Sequence, residues 1–312
     1  MDARLDSASP APASLRGTVI PAVTPFRADE SVDLDAFAAN LARWGATDIV
    51  GYMVLGTNGE FRSLSDDESR RVIAQAVAHK GDKTLIAGIG RDSAHHTLAF
   101  LDSLGLAGVD YVSVLTPHYF AKAMTGPALA GYYTTIADAS PVPVLIYVAP
   151  GYANGVLVPP DVLADLADHP NIAGIKDTSP SSLGAYLDAA GGRDDFAVVA
   201  GSLNTIMAAL DRGGPGGIVS AANYLPAQCA RLTTLWHAGE HEAARSYYDR
   251  LLRLAKATGA AGGVAGVKAS MDVLGFAGGA PRRPVAALDD AAKARLRATF
   301  DAELGALDPN EG

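Results

Sequence analysis

One lysine of the 312-residue chain stands where an amine is not expected, at the end of a run of apolar and small residues. The run reads I-A-G-I-K-D-T, and it places Lys176 at the end of a predicted β-strand that is buried on both faces. Burial disfavours the ammonium form and lowers the pKa of a lysine. Because a neutral amine attacks ketones to form a Schiff base, this position predicts chemistry on a 2-oxo acid that needs no metal.

The remaining six lysines fall in predicted loops or on the faces of predicted helices, and none of them ends an apolar strand. They are Lys80, Lys83, Lys122, Lys256, Lys268 and Lys293. Lys176 is therefore the lysine whose local pattern best predicts burial. The alternative is that its strand ends one residue earlier, in which case the amine points into solvent.

Two other predicted strands end in groups that a Schiff-base enzyme would need. The run V-L-I-Y-V brings Tyr147 to the end of the strand before Lys176, where a phenol could relay protons. The run V-L-G-T-N-G-E-F offers the hydroxyl of Thr57, and the backbone N–H groups of Thr57 and Asn58 could bind a carboxylate. The alternatives are a core tyrosine and a plain glycine turn. Glu60 fits a buttress of this loop better than a general base.

These residues belong to a chain in which strand and helix alternate eight times, a pattern that predicts a closed (β/α)8 barrel. An open doubly wound sheet is the second choice, because the first strand ends in A-V-T-P-F rather than in a glycine-rich turn. Helices are predicted to begin at Asp33, Ser65, Ser93, Thr125, Pro159 or Pro160, Ser181 and Ser202. Strands are predicted to begin at Thr18, Ile49, Thr84, Tyr111, Val144, Ile172, Ala197 and Gly217.

The chain is expected to form one structural unit. Residues 1–16 are predicted to be a flexible tail that lacks the apolar centre of a signal peptide, which favours a cytoplasmic protein. Residues 17–225 are predicted to form the barrel core. Residues 226–312 are predicted to supply the eighth barrel helix and an extra C-terminal layer of helices. The glycine run 213–217 is expected to be a loop before the eighth strand.

Composition excludes several classes of partner and several kinds of structural feature. A formal net charge of −9, with no Lys/Arg-rich run, argues against nucleic acid and anionic membranes as partners. No apolar run approaches the ~20 residues of a membrane-spanning helix. The single cysteine, Cys229, excludes an intramolecular disulfide and a cysteine-based zinc cage.

Four motifs resemble those of the dihydrodipicolinate synthase and N-acetylneuraminate lyase family in both order and spacing. They are G-T-N-G-E after the second strand, T-P-H-Y-F after the fourth, Y-V-A-P after the fifth and G-I-K-D after the sixth. The resemblance extends from about Gly17 to Ala302. It implies a (β/α)8 barrel and a class I lyase that cleaves or condenses a 2-oxo acid, with pyruvate as the carbonyl component. It also implies a homotetramer built as a dimer of dimers, and no cofactor beyond the lysine imine.

The same resemblance assigns roles to individual residues. Lys176 corresponds to the Schiff-base lysine, and Tyr147 and Thr57 correspond to its proton relay. Tyr119 corresponds to a tyrosine that family members contribute across a dimer interface to the relay of the neighbouring subunit. The residues expected to bind substrate are Asn58, Gly56, Thr178, Gly201 and Ile218.

Two departures from the family pattern bear on the substrate. In synthases of the lysine pathway, the loop after the tyrosine carries an arginine that binds the carboxylate of the aldehyde. Here that loop reads V-A-P-G-Y-A-N-G, with Tyr152 or a neighbour at that place, and Asn58 replaces a usual threonine. Both favour the 4-hydroxy-2-oxoglutarate aldolase branch, which releases pyruvate and an aldehyde such as glyoxylate. Three alternatives stay open: dihydrodipicolinate synthesis, action on 2-keto-3-deoxy sugar acids, and a non-catalytic protein that binds an oxo acid.

The role of His118, in the motif after the fourth strand, is also left open. It could shape specificity beside the presumed site, or it could belong to a surface loop.

Overall fold

A computed structural model describes residues 13–305, in which eight parallel strands close into a barrel and each strand pairs with its neighbours in chain order. This confirms the predicted fold class. The strands are β1 Gly17–Pro21, β2 Gly51–Val54, β3 Thr84–Gly88, β4 Tyr111–Leu115, β5 Val144–Val148, β6 Ile172–Asp177, β7 Ala197–Ala200 and β8 Gly216–Ile218. Of their residues, only Thr84 is not fully buried. Burial on both faces explains why the strands read as continuous apolar runs.

Among residues 13–305, eight α-helices surround the barrel and three more follow the eighth helix. They are α1 Leu34–Gly45, α2 Asp66–His79, α3 Ala94–Asp102, α4 Gly126–Ala139, α5 Pro160–Ala167, α6 Leu183–Ala190, α7 Leu203–Leu210, α8 Pro226–His237, α9 His241–Ala260, α10 Gly263–Val273 and α11 Asp290–Glu303. None of the helices within residues 13–305 is long and apolar enough to cross a membrane.

The capping signals in the sequence locate most helix starts. The Ser65 hydroxyl accepts the Glu68 N–H, and the Glu68 carboxylate accepts the Ser65 N–H, which completes the predicted capping box. The sixth helix differs by one residue, because its N-cap is Ser182 and not Ser181. The Ser182 hydroxyl donates instead to the carboxylate of Asp177, at the end of β6.

Two other predicted boundaries are corrected. Residues 1–12 of the predicted tail lie outside the described residues, but Ala13–Leu15 forms a short 3-10 helix and Leu15 is buried in the barrel interior. β8 begins at Gly216, one residue before its predicted start, so Gly216 belongs to the strand rather than to the loop. A Cβ atom on Gly216 would lie 1.9 Å from the carbonyl oxygen of Gly17, so the closure of β8 on β1 requires glycine there.

A β-bulge in β6 keeps Lys176 in register with β5. The register runs from Val144 opposite Ile172 to Leu145 opposite Gly174, so β6 contains one extra residue. Side chains alternate between the two faces of a strand, and the bulge lets Ile172 and Ile175 both face the outer core although an odd number of positions separates them. Beyond the bulge, Ile175 packs in the outer core and Lys176 points into the barrel, where it contacts Met53.

The C-terminal layer is joined to the barrel by a buried ion pair. Lys268 lies in α10, on a helix as predicted, but its side chain is fully buried instead of facing solvent. Its Nζ lies 2.6 Å from Oε1 of Glu60 and donates to the carbonyl oxygen of Ala280. The other Glu60 oxygen accepts the backbone N–H of Arg282. The C-terminal segment therefore holds the loop that follows β2, and Glu60 is a buttress as predicted.

Replacing Lys268 with Met should lower the free energy of unfolding by about 3–5 kcal/mol, because Glu60 would be left buried without its cation. A Lys268→Met/Glu60→Leu double variant should recover much of this loss, since it removes both charges. The control is Lys80→Met, which breaks the Lys80–Asp110 pair nearer the surface and should cost less than about 1 kcal/mol. Urea unfolding measures all three. Equal losses in the free energy of unfolding for Lys268→Met and Lys80→Met would contradict the stabilising role of the Lys268–Glu60 pair.

Candidate active site

The barrel interior holds Lys176 without a carboxylate partner among the described residues. The residue is 3% exposed, and its Nζ lies 4.1 Å from the centre of the Tyr147 ring and 3.5 Å from the Met53 sulfur. Burial lowers the pKa of Lys176 to about 7, because the ammonium form is poorly solvated there. A large fraction of this amine is therefore uncharged at neutral pH.

Asp177, the residue after Lys176, does not form an ion pair that would stabilise the protonated amine. Asp177 points away from the barrel interior. On that outer side its carboxylate accepts hydrogen bonds from the Ser182 hydroxyl and the Ser179 N–H. Burial raises the pKa of Asp177, while these hydrogen bonds act in the opposite direction. Alternation along β6 thus separates the cation and the anion of adjacent residues onto opposite faces.

Tyr147 lies directly opposite Lys176 in the pairing of β5 with β6. Its phenol oxygen is 3.0 Å from Oγ1 of Thr57, so the two hydroxyls form a hydrogen-bonded pair. Burial raises the pKa of Tyr147 to about 12, although the Thr57 hydrogen bond opposes this rise. The phenol is therefore protonated at neutral pH and can donate a proton close to the amine.

The loop between β2 and α2 is fixed from both ends. Leu55 and Glu60 both have left-handed backbone conformations, with φ of 57° and 52°, which non-glycine residues seldom adopt. Within the loop, the Asn58 side-chain amide donates to the Ser220 hydroxyl at 2.8 Å. The N–H groups of Thr57 and Asn58 meet no backbone acceptor among residues 13–305. Binding of a carboxylate by these two groups stays a prediction.

These groups meet in a cavity of about 400 Å³ at the carboxyl ends of the strands, which we call the inner chamber. Its lining residues are Pro21, Thr57, Asn58, Tyr147, Pro150, Gly151, Tyr152, Lys176, Thr178, Ser179, Pro180, Gly201, Ser202, Asn204 and Ser220. Six predicted site residues are among them: Lys176, Tyr147, Thr57, Asn58, Thr178 and Gly201. A Cβ on Gly201 would lie 2.6 Å from Cγ2 of Thr178, so this wall also requires glycine.

Three predicted site residues do not line the inner chamber. Gly56 is buried in the β2 loop, where a Cβ would lie 3.4 Å from Cε of Met53. Ile218 is fully buried in the barrel interior. Tyr119 is 76% exposed and packs edge-on against Phe120, so it does not reach the Tyr147–Thr57 pair of its own chain.

His118 belongs to a surface cluster rather than to the inner chamber. Its ring lies beside Arg62 and Asp92, which form an ion pair at 3.2 Å. The structure therefore favours the surface-loop alternative for this residue. Sequence reasoning missed Ser202, Asn204 and Ser220, although Ser202 and Ser220 stood at predicted strand or helix ends, where barrel site residues concentrate.

A (β/α)8 barrel with this site defines a class of protein, the lyases that act through a lysine Schiff base. The chain belongs to the dihydrodipicolinate synthetase family, since the model of that family matches residues 14–303. The resemblance found in the sequence motifs is thereby confirmed.

Two relatives with different activities are equally similar to the chain. One, from Emericella nidulans, is named "Probable 4-hydroxy-2-oxoglutarate aldolase, mitochondrial"; it is 32% identical, over 92% of this chain and 94% of the relative. The other is a 4-hydroxy-tetrahydrodipicolinate synthase from Acidiphilium cryptum, 32% identical over 91% of this chain and 97% of the relative. Sequence identity alone therefore does not separate the two activities.

Solved structures of the family share the fold. The dihydrodipicolinic acid synthase family protein YagE from E. coli K12, solved in complex with pyruvate, has a TM-score of 0.86 and 26% identity, covering 93% of this chain and 98% of its own. Dihydrodipicolinate synthase from Thermotoga maritima has a TM-score of 0.85 and 28% identity, covering 92% of this chain and 98% of its own.

Replacing Lys176 with Met should stabilise the protein by roughly 2–5 kcal/mol at pH 6, because burying an amine with a depressed pKa is unfavourable. The unfolded lysine binds a proton below about pH 10.5 and the folded one only below about pH 7. The stabilisation should therefore be full below pH 7 and shrink as the pH rises towards 10.5. Urea unfolding of wild type and variant at pH 6 and pH 9 measures it. A pH-independent difference would contradict a depressed pKa.

Proposed function

We propose that this protein cleaves 4-hydroxy-2-oxoglutarate, or a closely similar 4-hydroxy-2-oxo acid, into pyruvate and a small aldehyde. The observation that carries the proposal is the buried amine of Lys176, whose Nζ lies 4.1 Å from the centre of the Tyr147 ring in a chamber that Thr57 and Asn58 also line. Tyr152 or a neighbouring residue stands where the synthases carry an arginine, which supports the aldolase over dihydrodipicolinate synthesis.

In the proposed first step, the uncharged Lys176 amine attacks the ketone carbon of the substrate and forms a carbinolamine. Tyr147 then gives its proton to the departing hydroxyl, which leaves as water. The products of this step are an iminium cation and a phenolate side by side. The adjacent positive charge stabilises the phenolate, which offsets the high pKa of Tyr147 in the free enzyme.

The proposed cleavage step uses that phenolate as its base. It removes the proton of the 4-hydroxyl group, the C3–C4 bond breaks, and the bonding electrons enter the iminium to give an enamine. The aldehyde departs. Tyr147 returns its proton to C3 of the enamine, and water, activated by the same oxygen, then hydrolyses the imine. Pyruvate is released, and both the amine and the phenol are restored.

The β2 loop is proposed to hold the substrate carboxylate during these steps. The N–H groups of Thr57 and Asn58 have no backbone acceptor among residues 13–305, and a carboxylate there would lie beside the Thr57 hydroxyl. Thr57 completes the proton relay by hydrogen bonding to Tyr147. Thr178 and Gly201 shape the opposite wall of the inner chamber. Gly56 and Ile218 are proposed to support the site from behind, since neither lines the chamber.

Tyr119 is proposed to act in a partner subunit rather than in its own. It and Phe120, which is 70% exposed, form an aromatic pair on the loop after β4, and such a pair suits a subunit interface. A homotetramer built as a dimer of dimers would bury it. The protein is further proposed to work without a cofactor beyond the lysine imine. We also propose a cytoplasmic location, although the Emericella relative is named as mitochondrial.

Borohydride reduction in the presence of pyruvate should attach one pyruvyl group irreversibly to Lys176, as detected by peptide mass spectrometry. Lys176→Met should trap nothing. Tyr147→Phe should lower the rate of pyruvate release by about 10²–10⁴-fold, since it removes the proton relay. Lys293→Met, on α11, is the matched control and should behave as wild type. Absence of trapping in the wild type would contradict the Schiff base and favour a non-catalytic protein that binds an oxo acid.

A substrate panel decides between the aldolase and its relatives. Pyruvate release should be fastest from 4-hydroxy-2-oxoglutarate and slower from sialic acid and 2-keto-3-deoxy sugar acids. Consumption of aspartate semialdehyde with pyruvate, with no release from the panel, would establish the synthase instead.

The acid limb of kcat/KM should rise with a midpoint near pH 7, where Lys176 of the free enzyme loses its proton.

A further inference from the structure

A second cavity, also of about 400 Å³, adjoins the inner chamber on the side of the C-terminal helices. We call it the outer chamber. The two share part of their walls, namely Asn58, Tyr152, Ser202, Asn204 and Ser220. The walls that belong to the outer chamber alone come mainly from α9 and α10, and the Schiff-base chemistry proposed above does not use them.

The combined lining of the two chambers contains two lysines and no Asp or Glu. The second lysine is Lys256 of α9, which lines the outer chamber only. This contrasts with the chain as a whole, in which acidic residues outnumber basic ones and the formal net charge is −9. Because much of the Lys176 amine is uncharged at neutral pH, Lys256 supplies most of the positive charge of these chambers, which favour anions within an acidic protein.

Lys256 is also an exposed cation that no carboxylate of the described residues pairs with. The residues three and four positions away on α9 are Leu252, Arg253, Gly259 and Ala260, so no acid lies within reach on its own helix. Arg253 is engaged by Glu303 of α11 at 3.2 Å. Ala255, Gly259 and Ala260 give this wall short side chains, which leaves space beside the ammonium group.

The geometry points to Lys256 as a specificity residue that binds the distal carboxylate of a dicarboxylic 2-oxo acid. In this assignment the carbonyl end occupies the inner chamber and the second carboxylate occupies the outer chamber. In this assignment Tyr152 and Asn204, which line both chambers, would donate hydrogen bonds to the middle of such a ligand. The assignment rests on the proposed function and narrows its substrate class to dianions. It also gives the chain a cation for that carboxylate although the loop after β5 lacks an arginine.

Two oxo acids that differ only at the distal end test the assignment. They are 2-oxoglutarate and 2-oxopentanoate, which have the same number of carbons. The concentration needed for half-maximal borohydride trapping at Lys176 is measured for each. Lys256→Met should raise this concentration about fivefold for 2-oxoglutarate, the effect of one partly exposed charge pair, and less than twofold for 2-oxopentanoate. Higher salt should shrink the difference.

Further variants separate charge from structure. Lys256→Arg should retain the preference for the diacid, Lys256→Glu should reverse it, and Lys293→Met should leave it unchanged. With 4-hydroxy-2-oxoglutarate, Lys256→Met should raise KM and leave kcat nearly constant, because the lost contact is equal in the ground state and the transition state. A wild type that traps neither acid and no pyruvate would overturn the proposed function itself, whereas one that traps pyruvate alone would overturn the assignment of Lys256. Trapping that is indifferent to residue 256, or that weakens equally for both acids, would overturn only the assignment of Lys256.

Discussion

The site depends on keeping one amine dry and without a counter-ion. In water, the Lys176 amine would be protonated at neutral pH and unable to attack a carbonyl. The barrel interior surrounds it with a thioether and the face of a phenol ring, neither of which neutralises an ammonium as a carboxylate would. This arrangement is unfavourable for folding, and the buried apolar surface of a closed barrel offsets it.

A second buried lysine, Lys268, shows how a carboxylate partner changes the role of a buried amine. Lys268 is as deeply buried as Lys176, and burial lowers its pKa too, but Glu60 opposes that shift from 2.6 Å away. The same side chain therefore serves as a structural cation in one place and as a proposed nucleophile in the other. The structural pair in turn holds the β2 loop, whose residues Thr57 and Asn58 face the amine across the inner chamber. The two lysines are thus linked through one loop.

The sequence predicted those features of the fold and the site that depend on local sequence patterns. Continuous apolar runs located the strands, capping residues located most helices, and the ends of strands supplied Lys176, Tyr147, Thr57 and Asn58. What it missed depends on contacts between distant segments. The burial of Lys268 arises from the return of α10 to the β2 loop, and the outer chamber is built by helices that carry no strand-end signal. The sequence pattern of one segment does not predict its contacts with a segment about 200 residues away in the chain.

The bulge in β6 has a consequence for how such a barrel can change over time. Val144 pairs with Ile172 and Leu145 pairs with Gly174, so the bulge absorbs one extra residue and leaves every later pair of β5 and β6 in register. Removing that residue would leave a regular strand in which Ile172 still faces the helices and Lys176 still faces the barrel interior, because side chains alternate along a strand. The bulge therefore allows β6 to differ in length by one residue without moving the amine.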